Sequence, residues 1–192
     1  MIATGNAGKL AEMRALLAPA GRRLLGLADV PGALLPPEGD AYEANAVAKA
    51  RAVALHAGLP AVADDSGLEV DALHGGPGPK SARYGGEGLD DAGRVALLLR
   101  ALEGVPEPAR KARFVCVVAL VTPDGVTVTA RGVCEGRILR APAGSGGFGY
   151  DPVFAPEGRR VSMAEIPPGD KHALSHRGRA VASLLARLPE EA

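Results

Sequence analysis

Residues 112–136, ARFVCVVALVTPDGVTVTARGVCEG, constrain the fold more than any other stretch. An apolar run from Phe114 to Val121 meets Pro123-Asp124-Gly125, and a second arm then alternates between apolar and polar side chains. Proline and glycine with an aspartate between them supply turn chemistry, so the segment reads as one long β-hairpin. Shorter strand-like runs are interleaved with helical patterns elsewhere in the chain. A long hairpin among alternating strands and helices predicts an α/β protein built on a mixed sheet.

Length and composition narrow the function. A chain of 192 residues holds one substantial core, as one domain or two tightly joined lobes. Lys+Arg and Asp+Glu are equal at 22 each, so overall electrostatics give no support to a nucleic-acid polymer or a membrane surface as partner. The run from Phe114 to Val121 is too short to span a bilayer, and MIATGNAGKL has no signal-peptide core. The expected location is the cytoplasm. Cys116 and Cys134 lack CxxC spacing and read as buried thiols. Gln is absent, Asn occurs only at 6 and 45, and Arg outnumbers Lys by 17 to 5. Loss of heat-labile amides is one trait of thermophile proteins, and a GC-rich genome trims Asn and Lys as well. In either case the Asn and Lys residues that persist draw attention.

Along the chain, Met1 to Ala3 is expected as a short strand running into TGNAGK, followed by a helix with Leu10, Met13, Leu16 and Leu17 on one face. RLLGLAD reads as a second strand and PGALLPPEGD as a proline-rich loop. Asp40 and Glu43 have capping-box spacing and open a helix to about His56. LPAVADDSGLEVDAL reads as strand, tight turn, strand. HGGPGPKSARYGGEG is a long Gly/Pro loop, DDAGRVALLLRALEG a helix, and a last helix is expected from about Ser175 to Leu188.

Several stretches carry chemistry, each with a plainer reading beside it. TGNAGK (Thr4 to Lys9) sits where a strand opens a helix, the place where backbone amides and the helix dipole hold an anion. It is either that or a simple strand-to-helix turn. Lysine at a helix start opposes the dipole, which favours the anion. Asn45 and Lys49 lie four apart on one helix face, with Glu38 just before it. Asp40 and Glu43 are assigned to capping, while the roles of Glu38 and Lys49 stay open. Asp64 and Asp65 close an apolar strand before Ser66-Gly67. They form either an Asx-type turn or an oxygen-rich site of the kind Mg²⁺ accepts. No G-x-S-x-G elbow surrounds Ser66, which argues against a serine nucleophile. KHALSHRGR places Lys171, His172, His176, Arg177 and Arg179 together, as a solvated basic face or an anion-facing one.

Taken together, these residues suit one ligand. Lys9, Lys49, Lys171 and Arg177 would balance a triphosphate, and Glu38 and Asp65 would hold its magnesium. GFGYDP places two of only six aromatic residues side by side. Phe148 would stack on a base, an interaction worth about 1–3 kcal/mol. Gly146, Gly147 and Gly149 would let the backbone approach its edge. Tyr150 reads as a packing residue.

In order and spacing, TGNAGK, EGDAYEANAVAKA, ADDSGLEVDAL, PGPKSARY, GGFGYDPVF and SHRGRA resemble the inosine triphosphate pyrophosphatase family, the noncanonical purine nucleotide pyrophosphatases also called XTP/dITP diphosphatases. The resemblance covers nearly the whole chain and implies a single such domain over residues 1–192. It also implies two α/β lobes on a long mixed sheet flanked by helices, an active cleft between the lobes, and a homodimer. The implied reaction is Mg²⁺-dependent hydrolysis of dITP, ITP and XTP to the monophosphate and pyrophosphate. By position, Thr4, Gly5, Asn6, Ala7, Gly8 and Lys9 would bind phosphates. Glu38 and Asp65 would serve the metal, with Asp65 also accepting the proton of the attacking water. Lys49, Ser66 and Lys171 would contact the substrate. Phe148, Gly149, Tyr150, Asp151, His176 and Arg177 would recognise the base, with Arg177 donating to its 6-oxo group and Asp151 holding the loop or accepting from the base. The other reactions to weigh are a phosphotransferase or nucleotidase releasing orthophosphate, and a non-catalytic nucleotide-binding module.

Overall fold

The computed structural model describes residues 1–86 and 88–188. Glu87 of the Gly/Pro loop and the last four positions of the expected 1–192 domain lie outside the described residues. Five helices are described: α1 (Ala7–Leu17), α2 (Tyr42–Ala57), α3 (Asp91–Ala101), α4 (Pro168–Leu174) and α5 (His176–Leu185). The strands are β1 (Ala61–Val70), β2 (Pro77–Gly78), β3 (Lys111–Val121), β4 (Thr127–Ile138) and β5 (Phe154–Pro156), in the sheet order β2-β1-β3-β4-β5. Leu68 lies opposite Gly78 in an antiparallel pair, and β4 pairs antiparallel with β5 from Gly136–Pro156 to Ile138–Phe154. Ile2 bridges Val62 in parallel, so the sheet is mixed, as the interleaved pattern predicts.

The hairpin forms at its expected turn. The Thr122 amide donates to the Val126 carbonyl at 3.0 Å, and Gly125 takes the left-handed backbone (φ +95°) that glycine adopts without strain. The helix signals also operate locally: Asn6 caps α1 by accepting from the Lys9 amide, and Asp90 caps α3 by accepting from the Gly93 amide.

The chain divides into two compact units. The first comprises Met1–Asp65, Cys116–Gly132 and the segment from His176 on; the second comprises Ser66–Val115 and Val133–Ser175. In the first unit, Met13 and Leu17 of α1 pack with Ile2, Val62, Val118, Val181 and Leu184, and partly buried Leu10 and Leu16 join them. A second cluster sets the alanine-rich face of α2 (Ala46, Ala50, Val53, Ala54) against Ala61, Ala63 and Ala119. Small side chains here let helix and strands approach closely. In the second unit Leu68, Val70, Leu98, Leu102 and Met163 surround the tilted ring pair of Phe114 and Phe154, whose centroids are 4.5 Å apart.

Four local expectations are corrected. RLLGLAD is not a strand. Leu25 accepts one backbone bond from Ile2, but the Asp29 carboxylate accepts from the Gly26 amide at 2.8 Å and winds Leu27–Asp29 into a 3-10 turn. Met1 to Ala3 reduces to a single bridge. ADDSG makes no turn: Asp64, Asp65 and Ser66 lie inside the ten-residue β1. The capping box of Asp40 and Glu43 does not form, because Ala41 is the N-cap of α2 and offers no side-chain acceptor. Glu43 instead accepts from the Thr129 hydroxyl. The expected last helix forms as α5, one residue after Ser175, which is extended (ψ 155°); ahead of it Pro167 and Pro168 mark the start of the additional α4.

Gly132 in β4 lies directly against α5. A Cβ there would enter the van der Waals envelope of the His176 carbonyl oxygen and the Ala180 amide nitrogen. Gly132→Ala is expected to cost about 2 kcal/mol or more of stability by overpacking a backbone contact, measurable as a lower urea midpoint.

Candidate functional site

The first unit gathers a network of charged side chains around the end of its β1 segment. Asp64 is 1% exposed. Its Oδ2 accepts from Lys9 Nζ at 3.1 Å and from Arg177 Nε and Nη2 at 3.3 and 3.1 Å. Arg177 Nη1 donates to Glu12 Oε2 at 2.5 Å. On the next residue, Asp65 Oδ2 accepts from Asn45 Nδ2 at 2.8 Å and Oδ1 lies 3.4 Å from Lys49 Nζ. Lys49 also reaches Glu38 Oε1 at 2.6 Å.

Local sequence explains each position. Lys9 and Glu12 are three apart on α1, and Asn45 and Lys49 four apart on α2, so each pair shares a helix face. Asn45 also grips Gly39 in both directions, accepting from its amide at 2.7 Å and donating to its carbonyl at 3.1 Å. That clamp fixes the proline-rich loop bearing Glu38.

The electrostatics of the two aspartates diverge. Burial alone would raise the Asp64 carboxyl, but Lys9 and Arg177 override it and hold the group well below the ordinary carboxylate range. Asp65 is shifted the other way: burial raises it, and Lys49 and Asn45 only partly oppose that. Lys49 is raised, since the Asp65 charge and the Glu38 hydrogen bond outweigh its desolvation. Asp64 Oδ1 is buried without a hydrogen-bond partner. Beside this network Cys116 is free and buried, its thiol pushed up to about 12 by burial and by Asp64.

The implied magnesium can be tested against these donors. Among the described residues no three His, Cys, Asp or Glu side chains gather into a cage. Glu38 and Asp65 contact the same lysine and offer hard carboxylate oxygens. Mg²⁺ is held by one or two carboxylates when phosphate oxygens and water complete the shell, so this pair fits it.

The second unit holds the other expected residues. Asp151 Oδ2 accepts from the Phe148 amide at 2.9 Å and from Lys171 Nζ at 2.7 Å. Lys171 Nζ also stands 5.3 Å from the centroid of the half-buried Phe148 ring, at cation–π distance. Gly147 (φ +71°) must be glycine, because a Cβ would collide with the Asp151 carboxylate and crowd Lys171 Nζ. Ser66 is half-buried in β1.

Two of the expected residues are engaged by protein partners. Tyr150 is buried in the core and donates its hydroxyl to the Ser81 carbonyl at 2.8 Å, so it packs the unit, as its residue type suggested. Arg177, only 2% exposed, donates through its guanidinium nitrogens to Asp64 and Glu12. TGNAGK forms the strand-to-helix turn. Its caps are satisfied internally, with the Asn6 amide donating to Thr4 Oγ1 and the Lys9 amide to Asn6 Oδ1. Yet Gly5, Asn6 and Ala7 stay exposed, and Gly8 half-exposed, above a buried Thr4. His176 is buried in the first turn of α5. Glu12 joined no expected site, Asp64 was expected only as the partner of Asp65 in an oxygen-rich pair, and Asn45 only as the neighbour of Lys49 on one helix face. The i,i+3 spacing to Lys9, the i,i+4 spacing to Lys49 and the scarcity of Asn were the available signals.

Asp64→Asn removes the charge that compensates Arg177 and Lys9 inside the unit. A buried pair broken on one side typically costs about 3–5 kcal/mol, and urea unfolding at neutral pH should register a loss of that order.

Comparison with known proteins places the chain. The Ham1 family profile matches residues 1–187. A dITP/XTP pyrophosphatase of Nocardia farcinica is 52% identical over 98% of this chain and 93% of its own length, and one of Deinococcus deserti is 51% identical over 97% and 87%. The solved structure of a HAM1 protein from Coxiella burnetii superposes with a TM-score of 0.86 at 40% identity, covering 96% of this chain and 95% of that one. With a family match across both units and half the residues identical to such relatives, this chain belongs to the Ham1 family.

Proposed function

We propose that the protein hydrolyses noncanonical purine nucleoside triphosphates (dITP, ITP and XTP) to the monophosphate and pyrophosphate with Mg²⁺, and so cleanses the nucleotide pool. The observation that carries the reading is the buried carboxylate–cation network of the first unit, in a chain half identical to curated dITP/XTP pyrophosphatases. Formal charge supports the metal. Lys9, Lys49 and Arg177 bring three positive charges to that network, and Glu12, Glu38, Asp64 and Asp65 bring four negative ones. A net charge of −1 repels a bare triphosphate, so the anion requires a cation of its own.

Glu38 and Asp65 would hold that magnesium ion, which would neutralise phosphate charge during transfer. The exposed backbone of Gly5 to Gly8 and the Lys9 ammonium bind phosphate oxygens at the start of α1. Asn45 and Lys49 orient the Asp65 carboxylate, which takes the proton of the attacking water. Ser66 and Lys171 contact the substrate. Phe148 stacks on the base, Asp151 holds the loop that carries it, and His176 assists recognition. Hypoxanthine and xanthine present a 6-oxo acceptor and an N1–H donor, and adenine reverses both. Groups left unpaired against adenine discriminate by roughly 10⁴ or more. Arg177 serves the reaction through Asp64. As relatives of this kind are implied to do, the chain would act as a cytoplasmic homodimer, and among the described residues no helix is long and apolar enough to cross a membrane.

With Mg²⁺ and dITP, the product should be pyrophosphate; orthophosphate as first product would rule out attack at the α-phosphorus. Asp65→Asn should lower kcat by about 10²–10⁴ while dITP binding stays measurable by calorimetry, and near-normal turnover would remove Asp65 as the base.

A further inference from the structure

The Phe148 loop is fixed from two sides, and only one of the two holders belongs to the motif. Asp151 accepts from the Phe148 amide. The next amide, Gly149 N–H, donates to Asp91 Oδ2 at 2.8 Å, and Asp91 lies 58 residues earlier, in the first turn of α3. The other Asp91 oxygen, Oδ1, is 3.6 Å from Arg94 Nη1, one helical turn on, which braces the carboxylate. Gly149 takes a left-handed backbone (φ +62°), as does Gly147 two residues before it. Between two such hinges, the direction of Phe148 depends on what its own amide and its neighbour's amide are tied to. Beside the loop lies a cavity of about 540 Å³ lined by Asp91, Val95, Leu99 and Gly146 to Gly149, so packing on that side does not hold it.

We infer that Asp91 is a positioning residue for purine selection, setting the pose of Phe148 through the Gly149 amide. This rests on the nucleotide reading above. Asp91 touches no substrate in that reading, and its side chain is 58% exposed, so its removal should leave the chemical step intact. What should change is how well the loop is already shaped for the base.

The experiment compares Asp91→Ala, Asp91→Asn and Asp90→Ala with wild type, measuring kcat and KM for dITP and dATP with Mg²⁺, alongside Tm. A lost hydrogen bond to a partly exposed carboxylate corresponds to about three- to tenfold in binding. Asp91→Ala should therefore raise KM for dITP by that factor with kcat within about twofold of wild type. Its dITP-over-dATP ratio of kcat/KM should fall. Asp91→Asn keeps an acceptor oxygen and should restore both values. Asp90→Ala removes the α3 cap (Asp90 Oδ1 to the Gly93 amide, 2.8 Å) and should lower Tm with KM unchanged. A wild-type KM and ratio in Asp91→Ala overturns the inference. So does an Asn variant as impaired as Ala, or an Asp90→Ala variant that shifts KM equally. A wild-type enzyme inert towards dITP overturns the nucleotide reading itself, and the inference with it.

Discussion

A carboxylate can sit in the interior of a sheet only if something in that interior keeps it charged. Asp64 meets this condition with two cations on one oxygen, Lys9 from α1 and Arg177 from α5. Taking an ion from water costs several kcal/mol unless close partners and hydrogen bonds offset it. The cost binds both ways, since Arg177 is equally buried and needs Asp64 and Glu12 as much as they need it. The first turn of α1, the first turn of α5 and the β1 segment therefore cannot shift independently. Packing of Met13, Leu17, Val181 and Leu184 brings the same helices together on the apolar side. Folding of the first unit and alignment of its polar residues are the same event.

That coupling places Asp65 in a useful setting. Its neighbour takes the strong cations, and Asp65 is left with one lysine, one amide and a desolvated position that raises its proton affinity. Two adjacent residues of one type thus acquire opposite characters, one held as an ion and one with its proton affinity raised. Dipoles and charges fixed in advance do not have to reorganise when charge develops in a reaction. Here Lys49 is held by Glu38 and Asn45 by the backbone of Gly39.

What the sequence disclosed follows the reach of each interaction. The hairpin turn at Thr122–Val126 and the apolar face of α1 are decided within a few residues and were legible. The strand expected at RLLGLAD failed although its cause is local, because Asp29 folding back on Gly26 outweighs an apolar run. ADDSG failed for the opposite reason. Two consecutive acids read as a turn until a partner 113 residues away neutralises one of them inside a continuous strand. Arg177 was legible as important, but its role depended on Glu12 and Asp64, which no periodicity links to it. Tyr150 was legible as packing from its residue type, and the resemblance to a family motif obscured that.

The two units hold their candidate site residues by different means, and on the proposed function this would divide the labour between them. In the first, charged side chains interlock at depth, and a shift in one unsettles several others. In the second, the Phe148 loop runs through glycines at 144, 146, 147 and 149, and among its ties are single hydrogen bonds to Asp151 and Asp91 and one from the Gly146 amide to the Ala164 carbonyl. A rigid charged network suits chemistry common to every nucleoside triphosphate, whose phosphates are identical. A loop held by a few separable bonds suits the part of the substrate that differs, because its pose can be altered by one residue without disturbing a buried charge. On the proposed function, selectivity for the base would then change with little effect on the hydrolytic step wherever the changes fall in the second unit.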